Sequence, residues 1–256
     1  MKLVKRVIVC LLVVAIILIS GVATLFLFPQ PLFAHGVTYR NFRIYADTEV
    51  DKNFFPILDS ALSLAAHSEL NAPDYQFDIF LSYGNVYNCI EDLQGKGPAA
   101  RATDNNVVIK IPIRPAENLA IGPISRLNLV GLVTHEMVHC LQANKYGKWN
   151  FNPWNHPPNW KLEGYPEYIS RHAMLHSKNY DLRSEIVRFN TLMSASTNGR
   201  VEVVPGHFIP PIYYKGRLMI EYMMDVKELT YDEVLKDSRS EEGVFLEMMV
   251  WKKEDK

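Results

Sequence analysis

Thr134, His135, Glu136, Met137, Val138 and His139 set two imidazoles four residues apart with a carboxylate beside the first, an HExxH pattern. On a helix, residues four apart stand one above the other, so both imidazoles can reach one cation, while Glu136 is rotated about 100° to the side. That set suits zinc, with two neutral nitrogen ligands and a carboxylate placed to take a proton from water. The competing reading is an amphipathic helix with surface histidines. Leu132, Val133, Val138 and Leu141 argue against it, because apolar residues on these sides of the helix call for burial. The metzincin pattern HExxHxxGxxH is excluded, since Gln142 and Lys145 stand where it requires Gly and His.

A catalytic zinc site usually takes three protein ligands and keeps one position open. Beginning at Trp160, the chain reads Trp-Lys-Leu-Glu-Gly-Tyr-Pro-Glu-Tyr, which places Glu163 24 residues after His139. Here the sequence resembles the gluzincin metallopeptidases, the clan of thermolysin and aminopeptidase N, in the W-x-x-E-G-x-x-E-Y form of small membrane-anchored bacterial members. The resemblance implies Glu163 as the third ligand of one Zn2+ per chain, and Glu167, one turn later, as the carboxylate that orients a ligand histidine. Pro166 departs from the small residue of that form. A proline costs a helix least in its first turn, where the missing N–H is not needed, so Pro166 predicts a helix starting near Glu163.

Farther on, Tyr213, Tyr214, Lys215 and Gly216 are similar to the Y-x-K-G element of the aminopeptidase N family, whose tyrosine stabilises an oxyanion. The match selects Tyr213; the alternative is that both tyrosines are aromatic packing before a helix. His172 and His176 form a second i, i+4 pair, but no glutamate of the HExxH kind lies between them, so they read as helix-surface or supporting residues. The resemblance spans residues 105–222 and is specific at the three short elements quoted.

These residues need a frame. Residues 39–46, 76–83 and 105–113 read as strands, and 51–70 as a helix with apolar residues at helical spacing. Val107, Ile109, Ile111 and Ile113 share one side of the third strand, and Lys110 with Pro112 on the other side predict an edge position. Under the resemblance this strand borders the cleft, and an extended peptide adds to it by backbone pairing. A loop around Gly95 and Gly97 precedes it. Helices are expected over 125–146, opened by Ser125 and closed by Gly147, and over 163–177, 181–194, 216–226 and 231–236. Trp149, Pro153, Trp154, Pro157 and Pro158 make 148–160 a loop. The order predicts an α+β fold: a small sheet with helices packed against it, then a mostly helical C-terminal lobe, with the active-site cleft between.

The 256 residues suffice for one sizeable core. With 27 basic against 28 acidic residues, nothing indicates a nucleic-acid partner. Residues 7–28 carry no charge and are long enough to cross a bilayer, and the bulky run through Phe26, Leu27, Phe28 and Pro29 favours an uncleaved anchor over a signal peptide. Lys2, Lys5 and Arg6 before it place the N-terminus in the cytoplasm and the rest outside. The expected organisation is a cytoplasmic tail over 1–6, a transmembrane anchor over 7–28, a linker over 29–37 and a metallopeptidase domain over 38–256. Cys89 and Cys140 are either a disulfide or two separate thiols. The expected activity is zinc-dependent hydrolysis of a peptide or protein substrate. The alternatives are a zinc-holding scaffold that cleaves nothing, and a structural membrane protein carrying HExxH by chance.

Overall fold

A computed structural model of the chain describes residues 2–92, 97–151, 155–196, 199–204 and 207–252. Gly95, Pro153, Trp154 and residues 253–256 of the expected domain lie outside them. The fold is mixed α/β with a small sheet. Helix α1 (Lys2–Leu27) is apolar from Val7 onward and exposed from Lys5 to Thr24, long enough to span a membrane; a signal sequence has the same character. Its last carbonyls, orphaned as at any helix end, are met from the body of the protein: the Tyr87 hydroxyl donates to Phe26 O at 3.0 Å and Asn106 Nδ2 to Leu27 O at 3.1 Å.

Strand β1 (His35–Tyr39) turns at Arg40, φ 47°, into β2 (Phe42–Ala46). The single strand expected over 39–46 is therefore one arm of a hairpin, and strand structure begins inside the expected linker. Next come α2 (Phe54–Ala65), β3 (Phe77–Leu81), α3 (Tyr87–Glu91), β4 (Ala100–Thr103) and β5 (Asn106–Ile109). The sheet runs β1-β2-β3-β5-β4, parallel through its three inner strands and antiparallel at both margins. This corrects the expected edge position of residues 105–113, because β5 lies between β3 and β4 and the margin is β4. Val107 and Ile109 face the main core while Val108 packs with Phe80 and Tyr87 on the other face, as a doubly covered strand requires. Lys110 lies past the end of β5 and pairs with Asp92 at 2.6 Å.

A second sheet of β6 (Ile113–Arg114), β7 (Leu119–Ile121) and β8 (Arg126–Asn128) leads into α4 (Leu129–Tyr146), the HExxH helix. Its cap is Asn128 rather than Ser125. Asn128 Oδ1 accepts from Gly131 N at 2.8 Å, Asn118 Oδ1 from Val130 N at 2.9 Å and Asn118 O from Leu129 N at 3.0 Å. Three of the four free amides at the helix start are thus satisfied. Gly147, at φ 88°, closes the helix as expected.

Helix α5 (Asn159–Ser170) begins four residues before Glu163, so Pro166 sits inside the helix and not in its first turn. After α6 (His172–Leu175) and α7 (Leu182–Ala195), the pair β9 (Val201–Val204) and β10 (His207–Ile209) leads to α8 (Pro211–Glu221), which starts before Tyr213 and not at Gly216. A wider turn over Tyr222–Val226, then α9 (Tyr231–Lys236) and the unanticipated α10 (Glu241–Trp251), complete the chain. Helices α5 and α8 touch through glycines: a Cβ on Gly164 would lie 2.5 Å from Gly216 O, and one on Gly216 would lie 3.0 Å from Trp160 O. Buried Arg217 ties α8 down, its guanidinium 2.7 Å from Glu221 Oε2 and 3.2 Å from Glu185 Oε2 on α7. Cys140 is buried and Cys89 exposed, each a free thiol.

Candidate metal centre

Helix α4 is packed inside, with Val133, Met137, Val138, Cys140 and Leu141 buried, so the side chains of His135 and Glu136 are carried into the interior. His135 Nε2 and His139 Nε2 stand 3.1 Å apart, and Glu163 Oε2 on α5 lies 3.2 Å from the first and 3.3 Å from the second. This group of two imidazoles and a carboxylate, with His135 buried and His139 and Glu163 half-buried, is drawn from consecutive long helices and could hold a metal ion.

The far nitrogens are occupied. His135 Nδ1 is 3.4 Å from Glu167 Oε2, whose other oxygen accepts from Arg171 Nε at 2.6 Å. His139 Nδ1 is 2.8 Å from Gln142 Oε1. With a proton on each Nδ1, both Nε2 lone pairs face Glu163, the tautomer a metal ligand needs. Burial opposes charge on His135, but hydrogen bonds to Glu163 and Glu167 outweigh it and push its pKa up to about 10. Burial likewise opposes charge on Glu163, and His139 and His135 hold it ionised well below the usual carboxylate range. Both directions favour a positive charge between the imidazoles and the carboxylate, which a proton or a cation can supply. Glu136 differs: burial pushes its carboxyl up, against the pull of His135 and His139.

Tyr213 reaches the same place from α8. Its ring lies steeply inclined to that of His135 at a centroid distance of 5.7 Å, and burial followed by the charges of Glu163, Glu136 and Glu167 drives its hydroxyl pKa upward. Tyr214 points elsewhere, its hydroxyl donating to Glu185 Oε2 at 2.5 Å. Of the two tyrosines, it is Tyr213 that faces the histidines.

His172 and His176 lie outside the cluster. They stack at 3.9 Å, and His67 stacks on His172 at 3.7 Å. Burial, then His176 and His67, lower the His172 pKa from 6.5 to about 4. The unfolded chain thus takes up this proton before the folded one does. Stability contributed by the neutral ring is present above pH 6.5 and is lost as the pH falls toward about 4. Melting curves of the wild type and His172→Gln between pH 4 and pH 8 test this: the wild type should lose more of its midpoint on the acid side, and parallel curves would contradict it.

Sequence reasoning found Gln142 only as a residue that is not glycine, and did not find Arg171, Gly164 or Tyr231 as supports. The signal available for Gln142 was its position three residues after His139, on the same helical face. No protein-family model and no curated protein matches this chain.

Proposed function

We propose that the protein is a membrane-anchored zinc metallopeptidase of gluzincin type. The observation that carries the reading is the triangle of His135 Nε2, His139 Nε2 and Glu163 Oε2, with sides of 3.1 to 3.3 Å. Ligands held at roughly 2.0–2.1 Å in a tetrahedral arrangement stand about 3.3 Å apart, and the N, N, O set is one that catalytic zinc takes. Held by these three residues, zinc would lower the pKa of water and polarise a carbonyl.

The remaining roles belong to side chains of this chain. Glu136, buried and lifted toward neutrality, takes a proton from the attacking water and returns it to the leaving amine. Tyr213, kept protonated by burial and then by its acidic surroundings, donates to the carbonyl oxygen as that oxygen gains charge. Glu167 holds the His135 ring in place through Nδ1. Of the two margins of the sheet, β4 is the one that packs beside α4, and an extended peptide backbone pairs there. Lys2, Lys5 and Arg6, in the first turns of α1 and ahead of its uncharged span, keep the N-terminus in the cytoplasm and put the candidate site outside it.

Metal analysis of the purified protein, paired with His139→Ala, tests the reading. One equivalent of zinc in the wild type and none in the variant, together with chelator-sensitive cleavage of a broad peptide library, is the expected result. A wild type that retains no stoichiometric zinc overturns it; zinc without cleavage would leave a zinc-holding scaffold.

A further inference from the structure

Residue i of a helix donates its N–H to the carbonyl of residue i−4, and Pro166 has no N–H to give. The Leu162 carbonyl, one turn earlier in α5, therefore loses its helical donor. It accepts instead from Gln142 Nε2 on α4, at 3.2 Å. The same amide nitrogen donates to the Tyr231 hydroxyl at 2.7 Å, and that hydroxyl donates to Lys161 O at 3.1 Å. Gln142 is fully buried, so these are the partners its amide must use.

A carbonyl can only accept, so the Leu162 oxygen fixes which end of the Gln142 amide faces α5. The Oε1 end is then turned to His139 Nδ1, at 2.8 Å. An acceptor there requires the ring proton on Nδ1, which in the neutral imidazole leaves Nε2 bare toward His135 and Glu163.

We infer that Pro166 and Gln142 are positioning residues for His139: the carbonyl that the proline frees orients the glutamine, and the glutamine sets the tautomer of the imidazole. The use of this arrangement rests on the metal-ligand reading above, but its operation does not, because the proton on His139 can be read without any metal.

The test compares wild type, Gln142→Leu and Pro166→Ala. In the metal-free proteins at pH 8, imidazole 15N shifts should report His139 protonated at Nδ1 in the wild type, with that preference lost in Gln142→Leu. Zinc affinity, measured by competition with a chromophoric chelator, should fall about 10- to 100-fold in Gln142→Leu. Pro166→Ala returns an N–H to the Leu162 carbonyl and should move two quantities in opposite directions. Its melting temperature rises because a proline has left a helix interior, while its zinc affinity weakens severalfold because Gln142 has a competitor. A structural role alone would not weaken binding in a more stable protein. An unchanged His139 tautomer in Gln142→Leu, or unchanged zinc affinity in Pro166→Ala, overturns the inference. Should Gln142→Leu fail to fold, Pro166→Ala decides it. Should the wild type bind no zinc, the proposed function fails while the 15N comparison still decides this point.

Discussion

Glu136→Gln is expected to keep one zinc per chain and to lower kcat for peptide cleavage by about 10²- to 10⁴-fold, the usual worth of a positioned general base. The substitution preserves shape and removes the ability to accept a proton. Glu136 is not a member of the ligand triangle, so the metal content should not change. The side chain is buried and its pKa is raised by that burial, so its ionised form is held at a cost and the neutral amide should melt no lower than the wild type. Zinc content, melting temperature and kcat measured together separate lost chemistry from lost structure. A Glu136→Gln protein with full activity would exclude the mechanism.

The second large effect is expected from a methyl group placed away from any proton transfer. Gly164→Ala puts a Cβ 2.5 Å from Gly216 O, 2.6 Å from its carbonyl carbon and 2.9 Å from Ile220 Cγ1. The first two are backbone atoms of α8 and cannot turn aside, so the two helices must separate. Overpacking of this kind costs about 1–3 kcal/mol, more than the roughly 1 kcal/mol that alanine gains over glycine in a helix. Glu163 is the adjacent residue and Tyr213 lies on the displaced helix, so zinc affinity should fall with stability. Gly131→Ala in α4 is the control. Its Cβ would meet Asn128 Oδ1 at an ordinary 3.4 Å, and the variant should be as stable as wild type or more so. Equal melting temperatures and zinc affinities for Gly164→Ala and the wild type would contradict the role given to this contact.

Much of the candidate site was legible because it is contiguous. His135, Glu136 and His139 lie on one helix, and helical spacing alone brings the imidazoles together. Glu163 and Tyr213 come from other elements, and only a resemblance selected them. Their convergence depends on the Gly164–Gly216 crossing, a contact between residues 52 apart in the chain that no local pattern encodes. Pro166 was misjudged because helix rules price a proline by its own helix. They do not see that a glutamine on the neighbouring helix can serve the carbonyl it frees. The sheet order was misjudged for a related reason. Lys110 and Pro112 looked like edge markers but lie beyond the last residue of β5, and burial on both faces follows from strands distant in sequence. Element type survived in most segments, since periodicity is local, whereas starts moved by several residues, and at α4 the amides are met partly by Asn118, distant in sequence.

The bonds from Tyr87 and Asn106 to the final carbonyls of α1 make that helix a bracket rather than a leash. On the proposed function, and with α1 across a bilayer, the bracketed enzyme would work at a fixed height above the lipid. The scissile bond would then be chosen partly by how far along its own chain a substrate stands from the membrane, so lengthening the stalk of a membrane-bound substrate would shift the cut without any change in its sequence.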